Sequence, residues 1–301
     1  MKATIQLCTF NRAALLGRVL EACFEQGSDA YEVVLVNDGS SDDTPAVIER
    51  AKARATCAFT VIHQANAGLA RGRNVGIAAA KGERIIFIDD DVLPMPSFVS
   101  EHLRTHERHP NDIVRGAVIN TRSFDDLPPP IYSLKHYSGN FFWTSNVSVP
   151  LSTIRAIGGF EETFSEYGWE DIDVGLRLRA RGLKSILNSK AIAFHYKPPL
   201  RTGNVDAMIR QARAQARTAV QLAKIHPHWR AYLATGNTAA QRLIHKWADG
   251  IGAARHFTKM LGDLDADRPL SRAQLFAARQ IAASAYYEEL ERARTAHNAR
   301  P

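Results

Sequence analysis

Along the first ninety residues, short apolar, β-branched runs alternate with longer stretches whose apolar positions recur at helical spacing. The runs at 3–8, 32–36, 58–62 and 84–88 predict strands, the last reading Arg84-Ile85-Ile86-Phe87-Ile88. Between them, 13–26, 44–54 and 69–80 predict helices. Strands apolar almost throughout need cover on both faces, and strands joined by helices pair in parallel. The pattern therefore predicts an α/β domain, a mostly parallel central sheet flanked by helices. Ligands of such sheets bind at the carboxyl ends of the strands.

Further along, a helix is expected over Pro96–His109 after a Pro-x-Pro sequence, then a strand at 113–119. Residues 122–143, rich in Pro, Ser and aromatics and containing Pro128-Pro129-Pro130, read as a loop over the sheet. A strand near 142–149 leads to a helix capped by Ser152. Another helix spans 169–181, and a strand pair fills 184–195. Pro198 and Pro199 mark a boundary. Beyond it, Val205, Met208, Ile209, Ala212, Ala216 and Val220 form an apolar stripe, with Arg210, Arg213 and Arg217 on another face. Helices follow at 238–262 and 271–296. The expected organisation is a catalytic domain over 1–200, divided at 92/93, and a basic helical region over 201–301.

Composition changes this picture in two places. The 301 residues, 45% apolar and 23% charged, suit a globular protein, and no apolar run approaches a membrane span. The chain runs straight into its first strand with no leader-like layout, so a cytoplasmic location is expected. Cys8, Cys23 and Cys57, odd in number and without metal-ligand spacing, read as buried free thiols. Charge is uneven: residues 201–301 hold 16 Lys and Arg against 8 Asp and Glu, leaving the first 200 near neutral at 22 against 23. A basic segment of this kind suits an anionic membrane face, a phosphorylated acceptor or nucleic acid, and equally the solvated side of ordinary helices.

The strongest chemical signal is Asp89-Asp90-Asp91, directly after an apolar strand. Adjacent carboxylates repel unless a cation sits among them, and hard oxygens suit magnesium or manganese shared with substrate phosphates. On extended backbone, Asp89 and Asp91 would point the same way and Asp90 the other. An acidic solvated turn is the competing reading. A second signal is Gly168-Trp169-Glu170-Asp171-Ile172-Asp173 at a helix start, where acids are favoured by the helix dipole or aimed into a cleft as a general base. The third is His195, at the end of a predicted strand; a mixed carboxylate–imidazole site suits manganese better than magnesium. Thr9-Phe10-Asn11-Arg12 and Asn37-Asp38-Gly39-Ser40 follow the first two strands as turns or helix caps, and Gly68 through Asn74 could meet a diphosphate. The aromatics Phe124, Tyr132, Tyr137, Phe141, Phe142 and Trp143 are either core or a surface for stacking on a sugar.

In this order, Thr9 to Arg12, Asn37 to Ser40, Gly68 to Asn74, Asp89-Asp90-Asp91 and Glu170-Asp171 resemble family 2 of the glycosyltransferases, which has a GT-A fold. Gly158 through Asp171, then His195, looks like the acceptor half of chondroitin-polymerase and galactosyltransferase-like enzymes. The resemblance covers about residues 3–200. It implies that Thr9, Asn11 and Arg12 line a nucleoside pocket, that Asp38 bonds the base, commonly uracil, and that Arg73 and Asn74 contact the donor. Asp89 and Asp90 would lie by the ribose or sugar. Asp91, His195 and Asp89 would bind Mn2+ or Mg2+, and Asp171 beside Glu170 would be the base of an inverting hexosyltransferase. Trp143, Asn146 and Trp169 are expected on the acceptor side. Many members carry a fourth acid where this chain has Val92.

The expected partners are a nucleoside-diphosphate sugar, commonly of UDP, and an acceptor that could be glycan, lipid, small molecule or peptide. The basic helices allow a peripheral membrane contact or a homodimer, and nucleic acid is not expected. A sugar nucleotidyltransferase would begin with a Gly-rich arginine loop, absent here, and no GxGxxG follows the first strand as a dehydrogenase requires. A nucleotide-sugar or carbohydrate-binding module without catalysis is the non-enzymatic alternative.

Overall fold

The computed structural model describes residues 1–27, 30–133, 136, 138–164, 166–262 and 267–298. Two compact units emerge: Met1–Ser165 with Glu170–Pro198, and Glu166–Trp169 with Pro199–Pro301.

The first unit is built on one eight-stranded sheet. Its strands are β1 (Ala3–Thr9), β2 (Tyr31–Asp38), β3 (Ala58–Gln64), β4 (Arg84–Phe87), β5 (Val92–Pro94), β6 (Ile113–Thr121), β7 (Val147–Pro150) and β8 (Ser185–Tyr196), in spatial order β3-β2-β1-β4-β7-β6-β8-β5. The helices are α1 (Ala13–Phe24), α2 (Thr44–Lys52), α3 (Leu69–Ala79), α4 (Phe98–Arg108), α5 (Leu151–Ala156) and α6 (Glu170–Ala180). The first four sheet neighbours pair in parallel, as expected of strands separated by helices. The second half is mixed: β7 runs antiparallel to β4 and β6, β5 antiparallel to β8, and β6 parallel to β8.

Alternation along β4 shows why the strands are apolar throughout. Ile86 packs with Leu16, Leu20 and Ile48 of α1 and α2 on one face. Ile85 and Phe87 pack with Ile77, Ile154, Val174 and Leu178 of α3, α5 and α6 on the other. Each face is a separate core and the sheet lies between them. Cys8, Cys23 and Cys57 are free, Cys23 within one of these cores.

Several local expectations are corrected. The 184–195 segment is a single strand rather than a pair, carrying a register shift opposite Gly116/Ala117. A bulge lets one strand bend where a turn was expected. The strand placed near 142–149 begins only at Val147, because Thr144-Ser145-Asn146 form a turn whose side chains bond nearby acids and buried backbone. Ser152 is not the cap of α5; Pro150 stands there. The three-residue β5 was not foreseen, being too short to show a period.

The second unit is helical: α7 (Val205–Ile225), α8 (Trp229–Ala234), α9 (Ala239–Gly250), α10 (Ala253–Leu261) and α11 (Arg272–Asn298). The apolar stripe of α7 meets α11 through Ala216, Ala219, Val220, Tyr286 and Leu290. Arg217 lies off that stripe and pairs with Glu166 and Glu289. The helix expected over 238–262 is broken at Gly252, whose φ of 80° is left-handed. Among the described residues, no helix is long and apolar enough to cross a membrane.

One position in the sheet tolerates no side chain. A Cβ on Gly116 would lie 2.2 Å from Asn146 Oδ1 and 2.4 Å from the Ala191 carbonyl, and that carbonyl is backbone that cannot swing aside. Gly116→Ala is expected to lower stability by about 2 kcal/mol or more, read as a lower urea midpoint with unchanged slope.

Candidate active site

The carboxyl edge of the parallel strands gathers three of the predicted acids, Asp89, Glu170 and Asp171, around one cation. Arg73, in the middle of α3, is only 4% exposed. One terminal nitrogen donates to Glu170 Oε1 at 3.0 Å and Asp171 Oδ1 at 3.1 Å. The other donates to Asp89 Oδ1 at 3.3 Å and to the Thr144 hydroxyl. Asp89 and Asp171, 82 positions apart in the chain, are therefore held on either side of a single guanidinium.

Two hydroxyl residues complete this arrangement. Asp171 Oδ2 accepts from the Thr144 amide and hydroxyl, both at 3.0 Å, and Asp89 Oδ2 accepts from Ser145 Oγ at 2.5 Å. The Thr144-Ser145-Asn146 turn thus grips both acids. Sequence reasoning missed Thr144 and Ser145; the available signal was a polar triplet immediately before an apolar strand. Burial pushes the Asp171 carboxyl up to about 7, with Arg73 opposing the shift and Glu170 reinforcing it. A carboxylate in that range suits a general base at neutral pH.

Beneath the turn lies a buried polar chain. Asn146 Nδ2 donates to the Ala117 and Ala191 carbonyls, so its Oδ1 must accept, and His102 Nε2, 2.9 Å away, carries the proton. His102 Nδ1 is then bare and accepts from the Ser148 hydroxyl at 2.8 Å, which accepts in turn from His106 Nε2 at 2.8 Å. Both imidazoles are neutral; burial lowers His102 to about 4 and His106 to about 3. His106 Nδ1 is buried without a hydrogen-bond partner.

The acidic triplet does not alternate as extended backbone would. Residues 90–91 form a turn closed by Val92 N to the Asp89 carbonyl, so Asp89 faces Arg73 while Asp90 and Asp91 face Arg12. Arg12 lies 3.6 Å from Asp90 and 3.7 Å from Asp91. Burial raises Asp90 to about 7, partly offset by the Thr9 hydroxyl and Arg12. For Asp91, burial is outweighed by His195 and Arg12, which hold it below the usual carboxylate range. His195 arrives through the backbone: β5 pairs Val92 with His195, and the Tyr196 amide donates to the Asp91 carbonyl at 2.8 Å.

His195 Nε2 stands 3.6 Å from Asp91 Oδ1, too far for a good hydrogen bond. The spacing suits two ligands reaching one ion at about 2.1 Å each. The residues present therefore fit a divalent cation with Asp91 and His195 as protein ligands. Asp89, expected as a third, is turned to Arg73 and Ser145. Among the described residues, no group of three or more His, Cys, Asp or Glu side chains gathers at one ion-sized site.

Other expected residues shape loops. Asp38 accepts from Gln64, the Ala67 amide and the Gly68 amide, fixing the turn that opens α3. Asn11, at φ 53°, accepts from the Ser41 and Asp42 amides and ties the first two strand-end loops together. Thr9 is buried beside Asp90. Asn74 exchanges hydrogen bonds with the Phe160 backbone and donates to Glu162, so its amide is committed to that loop.

The acceptor-side expectations are corrected in part. Asn146 is 1% exposed with its amide fully engaged and has no surface to offer a ligand. Trp169 donates to the Gln215 carbonyl at 2.7 Å and packs with Ala216 and Ala219 in the helical unit. Trp143 is half-buried and remains near the sheet edge with Arg115 and Tyr132. Of the loop aromatics, Phe124 and Phe142 are core, Phe141 lies under the Arg179 guanidinium, and Tyr137 lies outside the described residues.

Comparison with known proteins gives a matching family, glycosyl transferase family 2, over residues 4–158, and the N-terminal domain of galactosyltransferase over 132–199. The chain is 30% identical over 219 residues to validoxylamine A glucosyltransferase of Streptomyces hygroscopicus subsp. jinggangensis, covering 60% of this chain and 52% of that one. It is 24% identical to chondroitin synthase of Pasteurella multocida over 67% of this chain and 25% of that one. The chain thus spans about half or less of the length of these curated relatives. Among solved structures, the mannosyltransferase PcManGT from Pyrobaculum calidifontis, in complex with GDP-Man and Mn2+, superposes with a TM-score of 0.62 at 16% identity, over 98% of this chain and 86% of that one. S. aureus TarS 1-349 with UDP-GlcNAc gives 0.58 at 16% identity, over 98% and 92%. The fold is GT-A.

Removing the guanidinium would leave three carboxylates facing one another. Arg73→Leu is expected to cost about 3–5 kcal/mol, with the thermal midpoint falling more at pH 8 than at pH 5.5, because Asp171, raised to about 7, is protonated at the lower pH and repels its neighbours less. A loss independent of pH would contradict this account of the cluster.

Proposed function

Because this chain belongs to glycosyl transferase family 2, we propose that it transfers a hexosyl group from a nucleoside diphosphate, of the UDP class, to an acceptor hydroxyl with inversion at the anomeric carbon. The observation that carries this reading is Asp171, aimed from the start of α6, fixed by Thr144 and Arg73, and raised in pKa beside the acidic edge at 89–91.

In this mechanism Asp171 accepts the proton of the acceptor hydroxyl as its oxygen attacks the anomeric carbon. The bond from that carbon to the diphosphate oxygen breaks, and its electron pair leaves with the nucleoside diphosphate. Arg73 holds Asp171 and Asp89 in position, so the base needs no reorganisation when the acceptor arrives. Arg12, half exposed beside Asp90 and Asp91, offers a cation to the donor phosphates. Asp91 and His195 are the residues that would hold manganese or magnesium, which when bound neutralises charge on the leaving diphosphate. The mannosyltransferase complex with GDP-Man and Mn2+ supports divalent metal use on this fold, and TarS with UDP-GlcNAc supports a nucleotide-sugar donor. The acceptor is left open among glycan, lipid, small molecule and peptide. The three free cysteines support a reducing, cytoplasmic setting.

Asp171→Asn is expected to lower turnover about 100- to 10,000-fold while manganese-dependent donor binding, followed by thermal shift, is retained. Near wild-type turnover would remove Asp171 as the base. Asp91→Ala is expected to abolish the stabilisation that donor and manganese give together.

The pH profile provides a separate check. A base active only when ionised, with its pKa raised to about 7, gives a rate that climbs with pH through neutrality. The acidic limb of kcat/KM for the acceptor, attributable to the enzyme before the acceptor binds, is expected near 7 rather than in the ordinary carboxylate range. A flat profile from pH 5 to 8, measured with donor and metal saturating, would reject a raised carboxyl as the base.

A further inference from the structure

Helix α9 is turned the wrong way round for a packed helix. It meets α11 through polar side chains: Arg242 pairs with Glu291 at 3.0 Å, the His245 ring stacks on Tyr287 at 3.8 Å, and Asp249 accepts from Ser284. No residue of α9 is buried. Its large apolar residues lie on the opposite side. Leu243 is 69% exposed, Ile244 62% and Trp247 67%, and Ile251, just past the helix, is 64%. At 100° per residue these four positions fall within about 100° of arc, a continuous stripe directed away from α11. An apolar stripe normally drives a helix onto its own protein, so this one is built for something outside it.

The surrounding charge selects the occupant. From His226 to Gly262 the chain carries five Lys and Arg and one acid, Asp249, and Lys246, Arg255 and Lys259 are exposed. The α11 acids next to Leu243 and Lys246 are already paired, Glu288 with Arg292 and Glu291 with Arg242 and Arg294. A second copy docked by a twofold would set one basic surface against the other, which is repulsive. Trp, Leu and Ile on one face, bordered by lysine and arginine, are the features of a helix lying in a negatively charged membrane interface. We propose that α9 and α10 seat this protein on the surface of an anionic lipid bilayer, with Leu243, Ile244, Trp247 and Ile251 entering the interface and Lys246, Arg255 and Lys259 meeting the headgroups.

The test uses the full chain and vesicle co-sedimentation, with pure phosphatidylcholine compared against phosphatidylcholine mixed with phosphatidylglycerol. The protein is expected to pellet with the mixed vesicles, and less so at high salt. The double substitution Ile244→Ser with Trp247→Ser, on exposed positions that the fold does not need, should lower partitioning roughly tenfold or more. Lys246→Gln and Lys259→Gln should each weaken it about fivefold. Circular dichroism of each variant verifies that the helices remain.

Three results would overturn the proposal. They are no partitioning into anionic vesicles, partitioning unchanged by the double substitution, or a lipid-free dimer in analytical ultracentrifugation that Trp247→Ser dissociates. None of these measurements involves sugar transfer, so their outcome is independent of the catalytic assignment.

Discussion

A guanidinium with almost no exposed surface has to be neutralised where it sits, and in this protein that requirement organises the carboxyl edge of the sheet. Arg73 cannot leave its place in α3 without uncovering Asp89, Glu170 and Asp171, and moving any one of the three takes a partner from the cation. The constraint reaches backward along the chain. Asp38 fixes the turn at Gly68, the turn fixes the start of α3, and the helix fixes Arg73. It also reaches forward, since Thr144 and Ser145 hold the far oxygens of the same acids. Residues from four strand-end segments behave as one rigid group.

The neighbouring pair of Asp91 and His195 depends on a weaker device. Three residues of β5 lie against the end of β8 and set Val92 opposite His195, so the alignment of carboxylate and imidazole is a matter of ladder register rather than of charge. The two halves of the edge are thus fixed independently, one by a salt-bridge cluster and the other by backbone hydrogen bonds. The acid that belongs to both halves in sequence, Asp89, belongs in space to the Arg73 cluster alone.

The strands β1 to β4 and the helices between them were legible because double-sided burial leaves unbroken apolar runs that few other arrangements produce. The mixed half was less so. β5 is too short to have a period, and the bulge in β8 resembles a turn when only the sequence is seen. Among the candidate residues, Asp91, Asp171 and His195 were singled out by residue type and by position after a strand or at a helix start, and the fold brings Asp91 to His195 and Asp171 to Arg73. Arg73 was readable as part of the donor side but not as the buried counter-ion of three acids, because no local pattern marks a cation that pairs 98 residues away with Asp171. Asn146 and Asn74 misled for the opposite reason: amides suited to binding a ligand are equally suited to satisfying buried backbone. Thr144 and Ser145 were silent because hydroxyls before a strand are common.

The chain from Asn146 through His102 and Ser148 to His106 has a consequence for acid tolerance. Both rings are neutral in the folded protein, with values lowered to about 4 and about 3 from an unperturbed 6.5. Unfolding releases them to bind protons that the native interior refuses. As the medium falls below about 6.5, proton uptake by the opened chain therefore draws the equilibrium away from the native state, and it continues to do so until the native values are reached. Ser148 lies in the strand that follows the turn gripping Asp89 and Asp171. Acidification therefore lowers the stability of the fold that carries Asp89 and Asp171 by a route separate from any titration of those acids themselves.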